Sequence, residues 1–209
     1  LKVIAVLNQK GGAGKTTIAT HLAVALWRSG HSVTLIDSDP QGSARDWAAV
    51  RSRNHLPVLG IDRPVIDREI RAIAEVDYVI IDGAPQMTEL AVSAIKAAHL
   101  ILIPVQPSPY DIWATEDLVD LVKARMDITD GRLRAGFVVS RAIRGTLIGR
   151  DIIGMLEKHE LPILETVIHQ RVAYATTAIT GETVLDAHPG TEASEEVLGM
   201  MRDVLAMAN

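Results

Sequence analysis

Five short apolar runs, at residues 3–7, 33–36, 78–81, 100–105 and 135–139, recur along the chain with longer mixed stretches between them. Their β-branched content and lack of polar alternation predict strands buried on both faces. The intervening stretches at 15–28, 44–51, 67–74, 88–97, 112–125 and 147–159 read as helices. A strand followed by a helix, repeated, predicts an α/β fold: a doubly wound, mostly parallel sheet with helices on both faces and right-handed crossovers. Ligands of such sheets bind beyond the carboxyl ends of the strands, so the loops after Leu7, Ile36, Ile81 and Val105 share one edge. No linker, repeat or low-complexity tract interrupts the alternation, and 48% hydrophobic content over 209 residues suffices for one core. Residues 1–209 are therefore expected to form a single domain.

The candidate chemistry lies in those loops. Residues 8–17 read NQKGGAGKTT and join the first strand to the first helix. Gly11, Gly12 and Gly14, with Ala13 among them, allow backbone angles and a close approach that a Cβ would obstruct, so successive N–H groups can face phosphate oxygens. The helix starting near Lys15 adds the positive end of its dipole; Lys15 can bind the β- and γ-phosphates, and the Thr16 hydroxyl, followed by Thr17, can reach Mg²⁺. Gln9 stands where the ordinary phosphate-loop pattern has its first glycine, and Lys10 precedes the glycine pair. A dinucleotide site is the competing reading, because Gly12 and Gly14 are followed about twenty residues later by Asp37. Its third glycine would fall on Thr17, and Lys15 with Thr16 suit a triphosphate and Mg²⁺ better.

Two acidic motifs follow. IDSDPQG, residues 36–42, places Asp37 and Asp39 where the second strand leaves the sheet, and Pro40 and Gly42 turn the chain. Carboxylates so spaced at a strand end cannot both enter a core, so one or both face the ligand edge. YVIIDGAP, residues 78–85, is an apolar strand ending in Asp82, which can hold Mg²⁺ directly or through water. A phosphoryl-transfer site chiefly needs an oriented nucleophile and charge neutralisation, which these residue types can supply.

The run KGGAGKT resembles the deviant Walker A motif, K/R-G-G-x-G-K-S/T, of the ParA/MinD ATPases. Residues 36–42 match the D-x-D-P-Q motif of ParA proteins, and residues 78–85 match a Walker B strand, in the family's order. The resemblance spans nearly the whole chain and implies a P-loop NTPase using ATP or ADP with Mg²⁺. It implies nucleotide contacts from Lys10, Gly11, Gly12, Ala13, Gly14, Lys15, Thr16, Thr17 and Asp82, and a metal site at Thr16, Asp37 and Asp82. Catalysis would fall to Lys10, reaching a partner subunit's nucleotide, to Lys15, and to Asp39, orienting the attacking water; residues 83–85 would sense the γ-phosphate. Residues 104–114, PVQPSPYDIWA, look like the proline-rich loop of small ParA proteins, and residues 169–186 like the segment closing over the base. Ser140 stands about where some relatives place an asparagine.

Because the first strand begins at residue 2, the expectation is a small ParA without an N-terminal helix-turn-helix. Such a protein would form a nucleotide-dependent homodimer, bind non-specific DNA as that dimer, and depend on a small centromere-binding adaptor that stimulates hydrolysis. The formal charge of −5 makes the net field mildly repulsive to DNA, so contact would need a local basic patch, for which Arg141, Arg144, Arg150 and Arg171 are the candidates. No long uncharged apolar run or basic leader is present, and cysteine is absent; both fit a cytoplasmic protein, nucleoid-associated when ATP-bound. A MinD-like membrane switch and a metabolic ligase or kinase on the same scaffold remain alternatives. Against the first, Glu192, Glu195, Glu196 and Asp203 outnumber Arg202 on the terminal helix. The seven histidines lack metal-ligand spacing, and Met200, Met201 and Met207 accompany Val197, Leu198, Val204 and Leu205 in a pattern that reads as core packing.

Overall fold

The computed structural model describes residues 1–52, 56–73, 75–85, 88–145 and 148–208, with backbone alone over 148–151. Among these residues six parallel strands form one sheet: β1 (Lys2–Val6), β2 (Val33–Asp37), β3 (Val58–Gly60), β4 (Tyr78–Asp82), β5 (Leu100–Val105) and β6 (Arg134–Val139), in the order β3-β2-β4-β1-β5-β6. Helices α1 (Lys15–Arg28), α2 (Ser43–Ala49), α3 (Ile66–Glu69) and α4 (Glu89–Ala97) connect the first five strands. After β5 come α5 (Pro109–Trp113) and α6 (Glu116–Ile128), and after β6 come α7 (Ile148–Glu157), α8 (Val172–Ile179), α9 (Val184–Ala187) and α10 (Glu192–Ala208).

The unbroken apolar runs have a direct cause in this layering. Val3, Ala5 and Leu7 face one core with α4 and α6, whereas Ile4 and Val6 face the other with α1 and α10. Ile81 and Ile80 divide in the same way along β4. Successive strand side chains point to opposite faces, so a strand covered on both sides needs apolar residues at every position. The chain leaves β1 toward β2 and leaves β4 toward β5, on opposite sides of β1, which opens a crevice at the carboxyl end of β1.

Several elements differ from expectation. β3 has only three residues and lies at the sheet edge half exposed, too short to register as an apolar run. The expected helix at 112–125 is two helices: Pro109 starts α5 in its first turn, and the chain bends at Ala114 and Thr115, whose buried hydroxyl donates to the Ile112 carbonyl. The expected helix at 67–74 is α3 followed by a single 3-10 turn over Ile70–Ala72; Ala74, like Leu147 of the expected 147–159 helix, lies outside the described residues. Beyond β6, isolated parallel bridges pair Phe137 with Ile163 and Ala142 with His169. They bring the segment before α8 back to the ligand edge. Met200, Met201, Val197 and Val204 of α10 are buried in the core, as their pattern predicts.

His21 shows what the core demands of a polar group. Its ring sits within α1, with Nδ1 on the Thr17 carbonyl at 2.8 Å and Nε2 accepting the Val184 N–H at 3.2 Å. This pins the start of α9 to the phosphate-loop helix. Burial pushes the imidazole down to about 4, against the weaker pull of the Thr17 carbonyl and Asp186. The unfolded chain takes this proton near pH 6.5, so His21 costs no stability above that pH and costs increasingly more as pH falls toward 4, to about 3 kcal/mol. Asp82, raised to about 7 by burial, acts in the opposite sense over the same window. The expected result is therefore differential: urea unfolding from pH 7 to 4.5 should show His21→Gln losing less stability on acidification than the parent chain. Parallel pH curves would contradict it.

Candidate functional site

The loop between β1 and α1 is built from its carbonyls outward. Gly12 and Gly14 adopt φ of 77° and 93°, a region open chiefly to glycine, and Gly14 starts α1. The Gly12 carbonyl accepts from Gln106 Nε2 and from Arg141 Nη1, both at 2.9 Å, and the Ala13 carbonyl accepts from Ser140 Oγ at 2.8 Å. Lys15 Nζ donates to the Lys10 carbonyl at 3.1 Å. Asn8 anchors the base of the loop, donating to the Pro104 carbonyl and accepting the Lys10 N–H at 2.8 Å. With its carbonyls held by neighbouring loops, the peptide planes turn their N–H groups toward the open side, where α1 also presents its positive end. Among the described residues, no backbone carbonyl accepts from the N–H groups of Gly11, Gly12, Gly14 and Lys15.

A cleft of about 990 Å³ opens on that side. Its lining combines Gly12, Gly14, Lys15, Thr16 and Asp39 with the apolar Ile143, Ile168, Val172 and Ala178 and the Tyr174 ring, and Arg141, Arg144 and Arg171 also line it. Charged and apolar lining in one cleft suits a phosphorylated ligand with a flat ring system.

Asp82 ends β4 directly beside Asp37 at the end of β2. It is fully buried and neither carboxylate oxygen has a hydrogen-bond partner. Burial drives its pKa up to about 7, the Thr16 hydroxyl pulls it down without closing a hydrogen bond, and Asp37, Lys15 and Asp39 add smaller effects of both signs. An orphaned buried carboxylate facing a threonine hydroxyl fits a hard divalent cation or its water. Among the described residues no cage of three or more acidic or histidine side chains exists, which suits Mg²⁺ held by few protein oxygens and completed by phosphates. Lys15, nearly buried, is held below the usual lysine range by desolvation, against the pull of Asp82 and Asp39.

Asp37 is engaged differently: its carboxylate accepts the Asp39 N–H at 3.1 Å and the Arg45 N–H at 2.8 Å, capping α2. Asp39 lines the cleft and accepts the Gln41 N–H at 2.9 Å. Gly83 must be glycine for another reason, since a Cβ there would lie 2.8 Å from the Val6 carbonyl oxygen.

Lys10 does not enter the cradle. Its Nζ lies 2.8 Å from Asp111 Oδ2 on α5; the lysine side chain is 39% exposed and the aspartate 7%. Asp111 and Gln106 are site residues that sequence reasoning missed, although both lie in the proline-rich segment it singled out. Ser140 is committed to the phosphate loop and buried.

Among the described residues, two of the four candidate arginines are paired with acids and a third is turned to the phosphate loop. Arg141 turns to the Gly12 carbonyl, and Arg144 and Arg171 pair with Glu192 at 2.9 and 3.1 Å. Arg171 also meets Glu196 at 2.6 Å, and His169 shares that carboxylate at 2.9 Å. α10 supplies both acids, a contact between segments that the sequence places far apart. The Arg150 side chain lies outside the described residues. No described helix is long and apolar enough to cross a membrane.

Parallel sheet, glycine cradle, buried lysine and orphaned aspartate together define a P-loop nucleotide-binding protein. More narrowly, the chain belongs to the CobQ/CobB/MinD/ParA nucleotide-binding domain family, which residues 4–184 match. It is 30% identical to maintenance of carboxysome distribution protein A of Halothiobacillus neapolitanus, over 97% of this chain and 95% of that protein. It is 29% identical to the chromosome-partitioning ATPase Soj of Thermus thermophilus, with the same coverage of each chain. Among solved structures, the ATP complex of a Cyanothece McdA variant superposes with a TM-score of 0.78 at 17% identity, covering 98% of this chain and 96% of that one.

Proposed function

We propose that this chain is an ATP-driven dimerisation switch for DNA partition. MgATP joins two copies, the dimer binds non-specific DNA, and hydrolysis, stimulated by a small centromere-binding partner, releases both. The observation that carries this reading is the division between two lysines: Lys15 is buried at the cradle, whereas Lys10 is half exposed and held away from it by Asp111. A cation outside its own cradle is available to a second nucleotide. Asp39, which lines the cleft with Lys15 and Thr16, would orient the water, and Asp82 with Thr16 would hold Mg²⁺, which neutralises charge on the phosphates. Cobyrinic acid a,c-diamide synthase of Mycobacterium smegmatis shares the fold, but two relatives that match 97% of this chain are named for carboxysome distribution and chromosome partitioning. The first of these favours a protein compartment as a second candidate cargo on the same switch.

The test uses Asp39→Ala with MgATP. Sedimentation velocity should show a persistent dimer, because the water is misplaced while the phosphate contacts remain. Fluorescence anisotropy on a random duplex should show binding that falls steeply with salt, as counterion release requires. A strictly monomeric variant would overturn the switch, and a dimer that ignores the duplex would overturn DNA as the cargo.

A further inference from the structure

Arg45, in the first turn of α2, stands behind the loop that carries Asp39. Its side chain folds back over that loop instead of extending into solvent. Nη2 donates to the Asp39 carbonyl at 3.1 Å, Nε lies 3.5 Å from Asp37 Oδ2, and Nη1 lies 3.8 Å from Asp62 Oδ2 beyond β3. The guanidinium thus bridges both ends of the turn and the neighbouring edge loop.

Two glycines form the slot it occupies. A Cβ on Gly42 would lie 3.2 Å from Arg45 Nη2, and a Cβ on Gly60 would lie 2.9 Å from both Cδ and Nη1. Gly42 has φ of 73° and is required by its backbone in any case. Gly60 is different. It ends β3 with no left-handed angle, and the three nearest atoms its Cβ would meet all belong to Arg45. The missing side chain at position 60 serves the arginine. Charge points the same way: Asp82 feels both Asp37 and Asp39, Lys15 offsets Asp82 and Asp39, and Arg45 brings a second positive charge to Asp37.

We propose that Arg45 is a positioning residue for hydrolysis, fixing the 37–42 turn so that the Asp39 carboxylate holds its place in the lining of the cleft. This rests on the ATP-hydrolysis reading above and on Asp39's part in it. Displacing an orienting group by an ångström can cost about 100-fold in rate while ground-state binding changes little. Arg45 touches the turn and not the cradle, so its removal should act on kcat and spare nucleotide affinity.

The experiment measures steady-state ATP hydrolysis and MgATP affinity for Arg45→Ala, Arg45→Lys, Gly60→Ala, the Arg45→Ala/Gly60→Ala double variant and Asp39→Ala. Arg45→Ala should lower kcat roughly 10- to 100-fold with MgATP affinity changed no more than about threefold. Arg45→Lys should recover part of the rate, because it restores charge without the planar fork. Gly60→Ala should mimic the loss by expelling the guanidinium, yet add nothing in the Arg45→Ala background. Full activity of Arg45→Ala beside an inactive Asp39→Ala would overturn the inference and leave the Asp39 reading standing. An active Asp39→Ala would instead remove the reading on which it rests. Additive losses in the double variant, or equal loss of affinity and rate with no rescue by lysine, would reduce Arg45 to a merely structural contact.

Discussion

Lys10→Ala is expected to keep MgATP affinity within a few-fold and to lose about 10³- to 10⁵-fold in dimer-dependent hydrolysis, the range a cation supplied to a transferring phosphoryl group contributes. The structure shows why the effect should split this way. Lys10 Nζ rests on Asp111, and the residue serves the loop through its backbone, its N–H donating to Asn8 and its carbonyl holding Lys15. Alanine keeps that carbonyl. It also strands Asp111, whose Oδ1 already lacks a partner and whose other oxygen would lose the ammonium. A buried acceptor left unsatisfied costs about 1–3 kcal/mol, so a drop in stability would be mixed with the loss of rate. Lys10→Ala/Asp111→Asn separates them: it should recover thermal stability and remain inactive. Single-turnover hydrolysis by the dimer is the measurement, and parental rates in both variants would exclude Lys10 from the reaction.

Lys15→Ala should fail one step earlier, at binding. This lysine has already been desolvated by folding, which holds it below the usual lysine range; it lines the cleft with Asp39 and feels the buried Asp82 behind it. Without it, a polyphosphate would meet these carboxylates with no buried counter-charge. A charge-assisted contact in such a place is worth about 1.5–3 kcal/mol, so the dissociation constant for MgATP should rise roughly 10- to 150-fold. Removing a desolvated cation does not open the core, so the variant should remain folded. Calorimetry showing unchanged MgATP affinity would take Lys15 out of the site.

Much of this was legible in the chain because its cause is local. An apolar run covered on both faces, a glycine with a left-handed angle and a lysine at a helix start are set by neighbours a few residues away, so β1, the turn at Gly12 and Gly14 and the start of α1 could be read directly. The orphaned Asp82 follows from the same logic, since a carboxylate closing an apolar strand arrives at the ligand edge already buried. β3 escaped notice because three half-exposed residues carry too little pattern, and the division of α5 from α6 because a short bend leaves helical periodicity nearly intact.

What only the tertiary structure decided is which distant groups meet. Lys10 finds Asp111 across 101 positions, Arg141 reaches the Gly12 carbonyl across 129, and Glu192 meets Arg144 across 48. Those meetings added what the chain could not show: a loop lysine is held by a buried aspartate, and two of the candidate arginines, Arg144 and Arg171, are paired with α10. Arg45 depends on the edge strand β3, whose Gly60 makes room for it. Residue type and spacing along a chain determine local conformation and burial, but the partner of a long charged side chain is set by how the layers pack, and no periodicity records it.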